Sequence, residues 1–267
     1  MSVLVLGLLF LGGALASILN TVAGGGTMLT LPLLILYGMP ATLANGTNRI
    51  FMFVQSLAGT VSLARHASVP LKRALFFSLP VLIASMVGAW FATQIHPALL
   101  KRGMGWLILI SVAAALLHQF AKKRAQNRLQ QEQPAEGEID QSGAPGFWNM
   151  RRMVLNVGIL LVLGLYGGLI QAGLGAILLA VLTKFCGFAK LSAMTIKNAI
   201  IALYSIPVLG IFFYYGQVAW LPGAALATGS LAGSHIGARL ATKLSLKHIM
   251  AIVYIVMIVS GIYLVWT

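Results

Sequence analysis

Ten apolar stretches, separated by short breaks and one long polar segment, decide what this chain can become. They run approximately over residues 2–20, 27–37, 41–64, 74–95, 103–120, 153–171, 176–188, 192–214, 222–242 and 246–266. About 20 apolar residues cross a bilayer as a helix, because lipid offers no partner for backbone N–H and C=O groups. Residues 27–37 and 176–188 are too short to cross comfortably, and each follows an interruption containing glycine. The composition agrees: 59% of residues are apolar or aromatic and only 8% are charged, against about a quarter charged in a soluble domain. An ordinary soluble enzyme and a disordered chain are both excluded. The expected fold class is all-α: a polytopic membrane protein of two inverted repeats, about five helical segments each, with Gly-broken half-helices near the midplane. The first stretch follows MSVLVLG, which has no basic n-region, so it is expected to be a retained membrane segment and not a cleaved signal.

Charge placement narrows the chemistry. The chain has 18 Lys and Arg residues but only four carboxylates, Glu132, Glu136, Glu138 and Asp140, all in one polar stretch. A carboxylate proton relay at membrane depth therefore has no carboxylate. A cation or metal site there has no anionic ligand, and a two-carboxylate hydrolase has no pair. Cys186 is the single cysteine, so no intramolecular disulfide or Cys-built metal site forms. HExxH, GxSxG, GxxxxGK[ST] and CxxC patterns are all absent from the sequence, and no nucleophile–base pair is visible. No catalytic residue, cofactor, metal or nucleic-acid partner is expected.

The polar stretch, residues 121–150, is basic first and then acidic, with Pro134, Gly137, Gly143, Pro145 and Gly146 breaking any helix. It reads as a linker between a first repeat, 1–120, and a second, 151–267. Shifting the sequence by 149 residues superposes the halves without a gap. Ala23, Gly24 and Gly26 fall on Ala172, Gly173 and Gly175; Gly38 falls on Gly187, Ala44 on Ala193 and Ser56 on Ser205. Gly88, Ala89, Ala92 and Thr93 fall on Gly237, Ala238, Ala241 and Thr242. A constant offset over roughly 70 residues is the signature of an internal repeat.

Basic residues mark cytoplasmic loops. Lys122, Lys123, Arg124, Arg128, Arg151 and Arg152 put the linker there, and Arg65, Lys72 and Arg73 follow two spans earlier. The repeat-mate of that earlier loop, 214–222, carries no charge, whereas Lys184 and Lys190 flank a turn whose mate, 37–42, has none. Lys101 and Arg102 are the main exception. A charge bias that flips between halves points to opposite orientations, as in inverted-repeat transporters.

Two motifs could carry chemistry. The first is the Gly break, Gly24-Gly25-Gly26-Thr27, and its mate Gly173-Leu174-Gly175. A discontinuous helix leaves backbone N–H groups unbonded at its restart, and an anion suits them. Close helix packing through small residues is the competing explanation. The second motif opens the third segment of each half. Asn45-Gly46-Thr47-Asn48-Arg49 in the first copy meets Met194-Thr195-Ile196-Lys197-Asn198 in the second. Asn48 falls on Lys197 and Arg49 on Asn198, so each half sets one cation beside one amide. A cation within a span costs about 2.5–3.5 kcal/mol on insertion scales, and no buried carboxylate offsets it. A bound anion would, with the Arg fork and the Lys point charge as its partners. The alternative is that both side chains snorkel to the interface or bond backbone carbonyls. Asn20, Thr27, Asn45, Thr47, Gln55, Gln171, Thr195 and Tyr204 are candidate neutral hydrogen-bonding groups around the anion. His235 is the histidine expected well inside a span, bonded to a helix neighbour. The series Gly229, Gly233, Gly237, Ala241 and its mate Pro80, Ala84, Gly88, Ala92 predict close helix approach.

The sequences AGGGTMLTLPLL and YGMPATLANGTNR, with the element Ala44-Asn45-Gly46-Thr47, resemble the TauE/SafE permeases, the sulfite-exporter-like membrane proteins. The likeness covers nearly the whole chain, with 121–150 as a variable linker. It implies a bacterial inner-membrane permease for small sulfur-containing anions such as sulfite or sulfoacetate, usually moved outward. It also implies that Gly24 to Thr27 and Asn45 to Arg49 lie near substrate. The second copy departs from the pattern at Leu174 and at Met194-Thr195-Ile196. The expected function is thus an anion permease, with an anion channel or a non-transporting membrane scaffold or receptor subunit as alternatives. The expected partners are a small anion and the lipid bilayer.

Overall fold

The computed structural model describes residues 3–22, 26–65, 71–129, 150–240 and 247–266. Ten helices make up its regular structure, and no strand occurs among the described residues. They are α1 (Val3–Val22), α2 (Thr27–Leu36), α3 (Ala41–Ala64), α4 (Leu71–Gln94), α5 (Pro97–Leu129), α6 (Met150–Leu169), α7 (Leu174–Lys184), α8 (Lys190–Tyr214), α9 (Trp220–Leu240) and α10 (Lys247–Trp266). Every apolar stretch of the sequence corresponds to one helix. Among the described residues, Val3–Thr21, Ala74–Gln94 and Lys190–Tyr214 are long and apolar enough to cross a membrane by composition alone. One boundary differs from expectation. Helix α5 continues through Leu129, whereas the linker was expected to start at 121. The extra residues, AKKRAQNRL, are almost all strong helix formers, and propensity carries the helix past its apolar part. Residues 130–149, with all four carboxylates, lie outside the described residues, as do Ala23, Gly24 and Gly25.

The two short helices have 10 and 11 residues, about 15–17 Å at 1.5 Å per residue, or half a hydrocarbon core. Their ends repeat one device. Gly38 (φ 96°) and Gly187 (φ 69°) both take left-handed backbone after the short helix. An extended residue then starts the next helix, Pro40 (ψ 143°) in one half and Ala189 (ψ 145°) in the other. Glycine has no Cβ to oppose φ > 0, so the sequence repeat at 38 and 187 is also a backbone repeat.

Helices α3 and α8 pack on each other, and α3 packs also on α9 and α8 on α4. Helix α1 pairs with α9, α4 with α6, and α5 with α10. Exchanging the first five helices for the second five turns the α1–α9 pair into α6–α4 and the α3–α9 pair into α8–α4. Glycines close two of these seams. A Cβ on Gly233 would lie 2.8 Å from the carbonyl carbon of Ala14 on α1. A Cβ on Gly168 would lie 2.7 Å from the amide nitrogen of Ala89 and would also strike the Ser85 carbonyl on α4. Neither obstacle is a side chain that can swing away. Gly168→Val is therefore expected to separate α4 from α6, at about 1–3 kcal/mol or more for overpacking. A thermal unfolding midpoint in detergent equal to the unmodified protein's would contradict this seam.

The distribution of polarity is inverted relative to a soluble protein. Leu4, Leu8, Leu11 and Leu15 of α1, Val87, Trp90 and Phe91 of α4, and Ile255, Val259 and Ile262 of α10 are exposed. Asn45, Thr47, Asn48, Arg49, Gln55 and Ser56 of α3 are buried, as are Thr195, Lys197, Asn198, Tyr204 and Ser205 of α8. An apolar exterior this extensive matches lipid as its solvent.

Candidate functional site

Both cations of the α3–α8 crossing sit at the cut ends of other helices. Arg49 and Lys197 are each 0% exposed, so snorkelling to an interface does not occur. The Arg49 guanidinium lies against the C-terminus of α6. Its Nη1 donates to the carbonyl of Gly167 (2.7 Å) and to Gln171 Oε1 (2.5 Å). Its Nη2 donates to the carbonyl of Gly168 (2.7 Å) and to Asn45 Oδ1 (3.1 Å). Asn45, one turn before Arg49, turns its Nδ2 to the carbonyl of Leu169 (2.7 Å). The remaining carbonyl of that last turn, Tyr166, accepts from the Ile170 and Gln171 backbone N–H groups. All four orphan carbonyls of α6 are thereby bonded, three of them by α3 side chains. A helix C-terminus carries partial negative charge, so a cation is stabilised there. The Phe212 ring also stands 5.3 Å from the guanidinium carbon.

Lys197 plays the matching part at α1. Its Nζ donates to the carbonyl of Asn20 (2.7 Å), in the last turn of that helix. Asn20 also bonds Gln55 through Nδ2. Gln55 Nε2 donates to Thr21 Oγ1 (3.3 Å), and the Gln55 carbonyl accepts from Ser234 (3.2 Å). Ser234 and Ser17 share a hydrogen bond of 2.7 Å across the α1–α9 seam. The repeat-mates Gln55 and Tyr204 thus receive equivalent bonds: Asn20 reaches Gln55, and Gln171 Nε2 reaches Tyr204 Oη at 2.7 Å.

The break before α7 is held by the other half. Gln171 takes a left-handed backbone (φ 63°), a conformation uncommon without glycine. Its carbonyl accepts from Thr27 Oγ1 (3.2 Å), and Thr27 Oγ1 in turn accepts from the Gly173 N–H (3.3 Å). The starts of α2 and α7 therefore meet. Gly173 N–H, a candidate anion donor on sequence grounds, bonds a threonine here. Gly26 uses its carbonyl for the N–H groups of Leu29 (3.1 Å) and Thr30 (3.3 Å). Gly175 is buried at the start of α7, and Gly24 and Gly25 lie outside the described residues.

Other candidates separate into packing and chemistry. Thr47 Oγ1 accepts the backbone N–H of Ala219 (2.9 Å), just before α9 starts. Thr195 Oγ1 donates to Leu191 in its own helix (3.0 Å). His235 was expected to bond a neighbouring helix inside the span; it is exposed on α9 instead. Asn48 and Asn198 are 1% and 0% exposed, and they stand out by what they lack. Asn48 Oδ1, Asn20 Oδ1, Arg49 Nε and both polar atoms of Asn198 are buried without a hydrogen-bond partner among the described residues. Buried polar atoms are ordinarily satisfied, and these five lie on α1, α3 and α8.

Sequence reasoning looked to the positive N-termini of the broken helices and gave bonding to backbone carbonyls as the alternative; both cations do bond carbonyls, at the negative C-termini that the same breaks create. The rule that cations favour helix C-termini would have paired Arg49 and Lys197 with the ends of α6 and α1.

This combination, an apolar exterior around two broken helices and a buried, cation-bearing polar centre, defines a polytopic helical membrane protein. Comparison with known proteins gives the particular family: the model of the sulfite exporter TauE/SafE family matches residues 9–264, and the chain belongs to it. Its relatives include a probable membrane transporter protein, ORF9, of Sinorhizobium, 26% identical over 97% of this chain and 92% of the relative. One from Haemophilus influenzae, also a probable membrane transporter protein, is 27% identical over 88% and 84%. YfcA of Escherichia coli K12, of the same description, is 25% identical over 99% and 91%. No solved structure matches.

Proposed function

We propose that the protein is a permease for a small anion, a sulfur-containing one such as sulfite or an organosulfonate, moved outward across a bacterial inner membrane. One observation carries this: two fully buried cations stand at the α3–α8 crossing with no acidic residue in either helix, beside buried polar atoms that lack partners. The helix ends offset only part of each charge, because a C-terminus contributes roughly half a unit. An anion completes the balance. Asn48 and Asn198 supply hydrogen bonds beside the two cations. Gly26, Thr27 and the segment 173–175, with Asn45 and Thr47, form the frame that holds the broken helices in place; Gly24 and Gly25 lie outside the described residues. The relatives' descriptions as probable membrane transporters support transport over a scaffold or catalytic role.

Outward movement requires no dedicated coupling device. A negative-inside potential favours anion exit by about 2.3 kcal/mol per charge per 100 mV. The exchange symmetry of helix pairs supports two repeats, 1–120 and 151–267, and the flipped charge bias supports opposite orientations. The basic residues around 121–150 support a cytoplasmic linker. Full burial of the site favours a carrier over an open pore. The test is a proteoliposome flux panel of sulfite, thiosulfate, sulfoacetate, sulfate and chloride, with and without an imposed potential. Saturable movement of at least one of the sulfur anions, accelerated when the releasing side is negative, is expected. Failure of every anion to move would refute the permease.

A further inference from the structure

Hydrogen-bond accounting separates the two cations. All four terminal N–H groups of Arg49 are committed, to Gly167, Gly168, Gln171 and Asn45; only Nε is left. Lys197 has three N–H groups, of which one is used among the described residues, on the Asn20 carbonyl. Its neighbour Asn198 has both ends of its amide without a partner among the described residues. The two residues border the same group of side chains. Lys197 reaches Asn20, Asn20 bonds Gln55, and the Asn198 amide lies against Gly59 close to Gln55. A Cβ at 59 would be 2.7 Å from Asn198 Nδ2 and 3.5 Å from Gln55 Nε2. Glycine at 59 is what leaves the amide its place.

We infer that the anion's seat is at the α1 end, on Lys197, Asn198 and Asn20, that Arg49 is a positioning residue which holds α6, and that the seated species is a monoanion still carrying one ionisable proton. The inference rests on the permease reading above and specifies its site. Its basis is the kind of atoms left over. Lys197 and Asn198 Nδ2 are donors and suit anionic oxygens. Asn198 Oδ1 and Asn20 Oδ1 are acceptors, with Asn20 Nδ2 bonded to Gln55. A fully deprotonated oxyanion offers an acceptor to every group and would leave those oxygens facing like charge. A singly protonated one gives them its proton. Of the two buried cations, Lys197 is the one with N–H groups to spare among the described residues, which matches one negative charge. The proton then travels with its anion, and no titrating side chain is required for it.

The sign of a pH change tests this. The purified protein is placed in vesicles enclosing a pH dye, sulfite is added outside near neutral pH, and protein-free vesicles give the background. A singly protonated anion that enters releases its proton and acidifies the lumen. A dianion that enters takes up a proton and makes the lumen alkaline. Protein-dependent acidification is expected. Asn198→Leu, close in volume but without hydrogen-bonding atoms, is expected to reduce it at least tenfold, and Gly59→Ala, which presses on the Asn198 amide, to act the same way. Elution of both variants as a single folded species keeps the comparison valid. Methanesulfonate, which has no ionisable proton at this pH, is expected to compete at least tenfold less well than sulfite. Protein-dependent alkalinisation, or undiminished flux in Asn198→Leu, overturns the seat and leaves an anion permease standing. If no anion in the flux panel moves, the permease falls and the seat with it.

Discussion

Replacing Arg49 by methionine is expected to destabilise the folded protein by at least about 3 kcal/mol. Methionine fills a similar length but donates nothing. Two carbonyls of the last turn of α6, Gln171 Oε1 and Asn45 Oδ1 would all lose their donor in a buried setting. Each unsatisfied buried acceptor costs about 1–3 kcal/mol, and relief from burying the guanidinium offsets only part of that. Arg49→Lys is expected to recover a fraction, because an ammonium has three N–H groups and no planar fork with which to span two carbonyls and two amides. Thermal unfolding in detergent reads both. A midpoint for Arg49→Met within error of the unmodified protein would mean that α6 does not depend on this side chain.

The corresponding change at Lys197 should do the opposite, sparing the fold and stopping transport. Lys197→Met removes one bond, to the Asn20 carbonyl, so stability should fall little. The anion, however, loses the cation with N–H groups to give it. Truncating one partner of a buried, hydrogen-bonded charge pair costs about 2–5 kcal/mol, or roughly 30-fold to several-thousand-fold in affinity. Flux of sulfite into proteoliposomes at low concentration should drop by at least the lower figure while the protein still elutes as one species. Equal flux would remove Lys197 from the site. Together the two substitutions form a contrast: one cation is expected to carry stability, the other ligand.

Much of the architecture was legible because bilayer thickness is a strict ruler. All ten helices follow the apolar stretches, and the short ones, α2 and α7, were visible as segments too short to cross. The matching turns at Gly38 and Gly187 were legible, because left-handed backbone leaves little choice of residue. Helix α5 ran longer than expected because hydropathy ends at the membrane surface and helix propensity does not. The site was half legible. Arg49, Lys197, Asn48 and Asn198 stood out as polar groups in apolar sequence, and each of the four is buried. Their partners were not legible. Nothing local to Arg49 says that it meets Gly167 and Gly168, which lie in the other half of the chain. Glycines marked a break without saying whether its positive or its negative end would be used. Thr47 and Thr195 looked alike in sequence, yet one bonds α9 and the other its own helix, a difference set by neighbours.

The pairing of helices also has a consequence for how the molecule is made. Helix α1 closes its glycine seam against α9, and α4 against α6. A ribosome that has reached residue 129 has produced α1 and α4 but neither of their mates. The early segments must wait in the membrane as loosely associated spans until the later ones are threaded between them. Assembly is therefore completed near the end of synthesis, and severing the chain between its halves would leave two unfinished pieces in place of two working units.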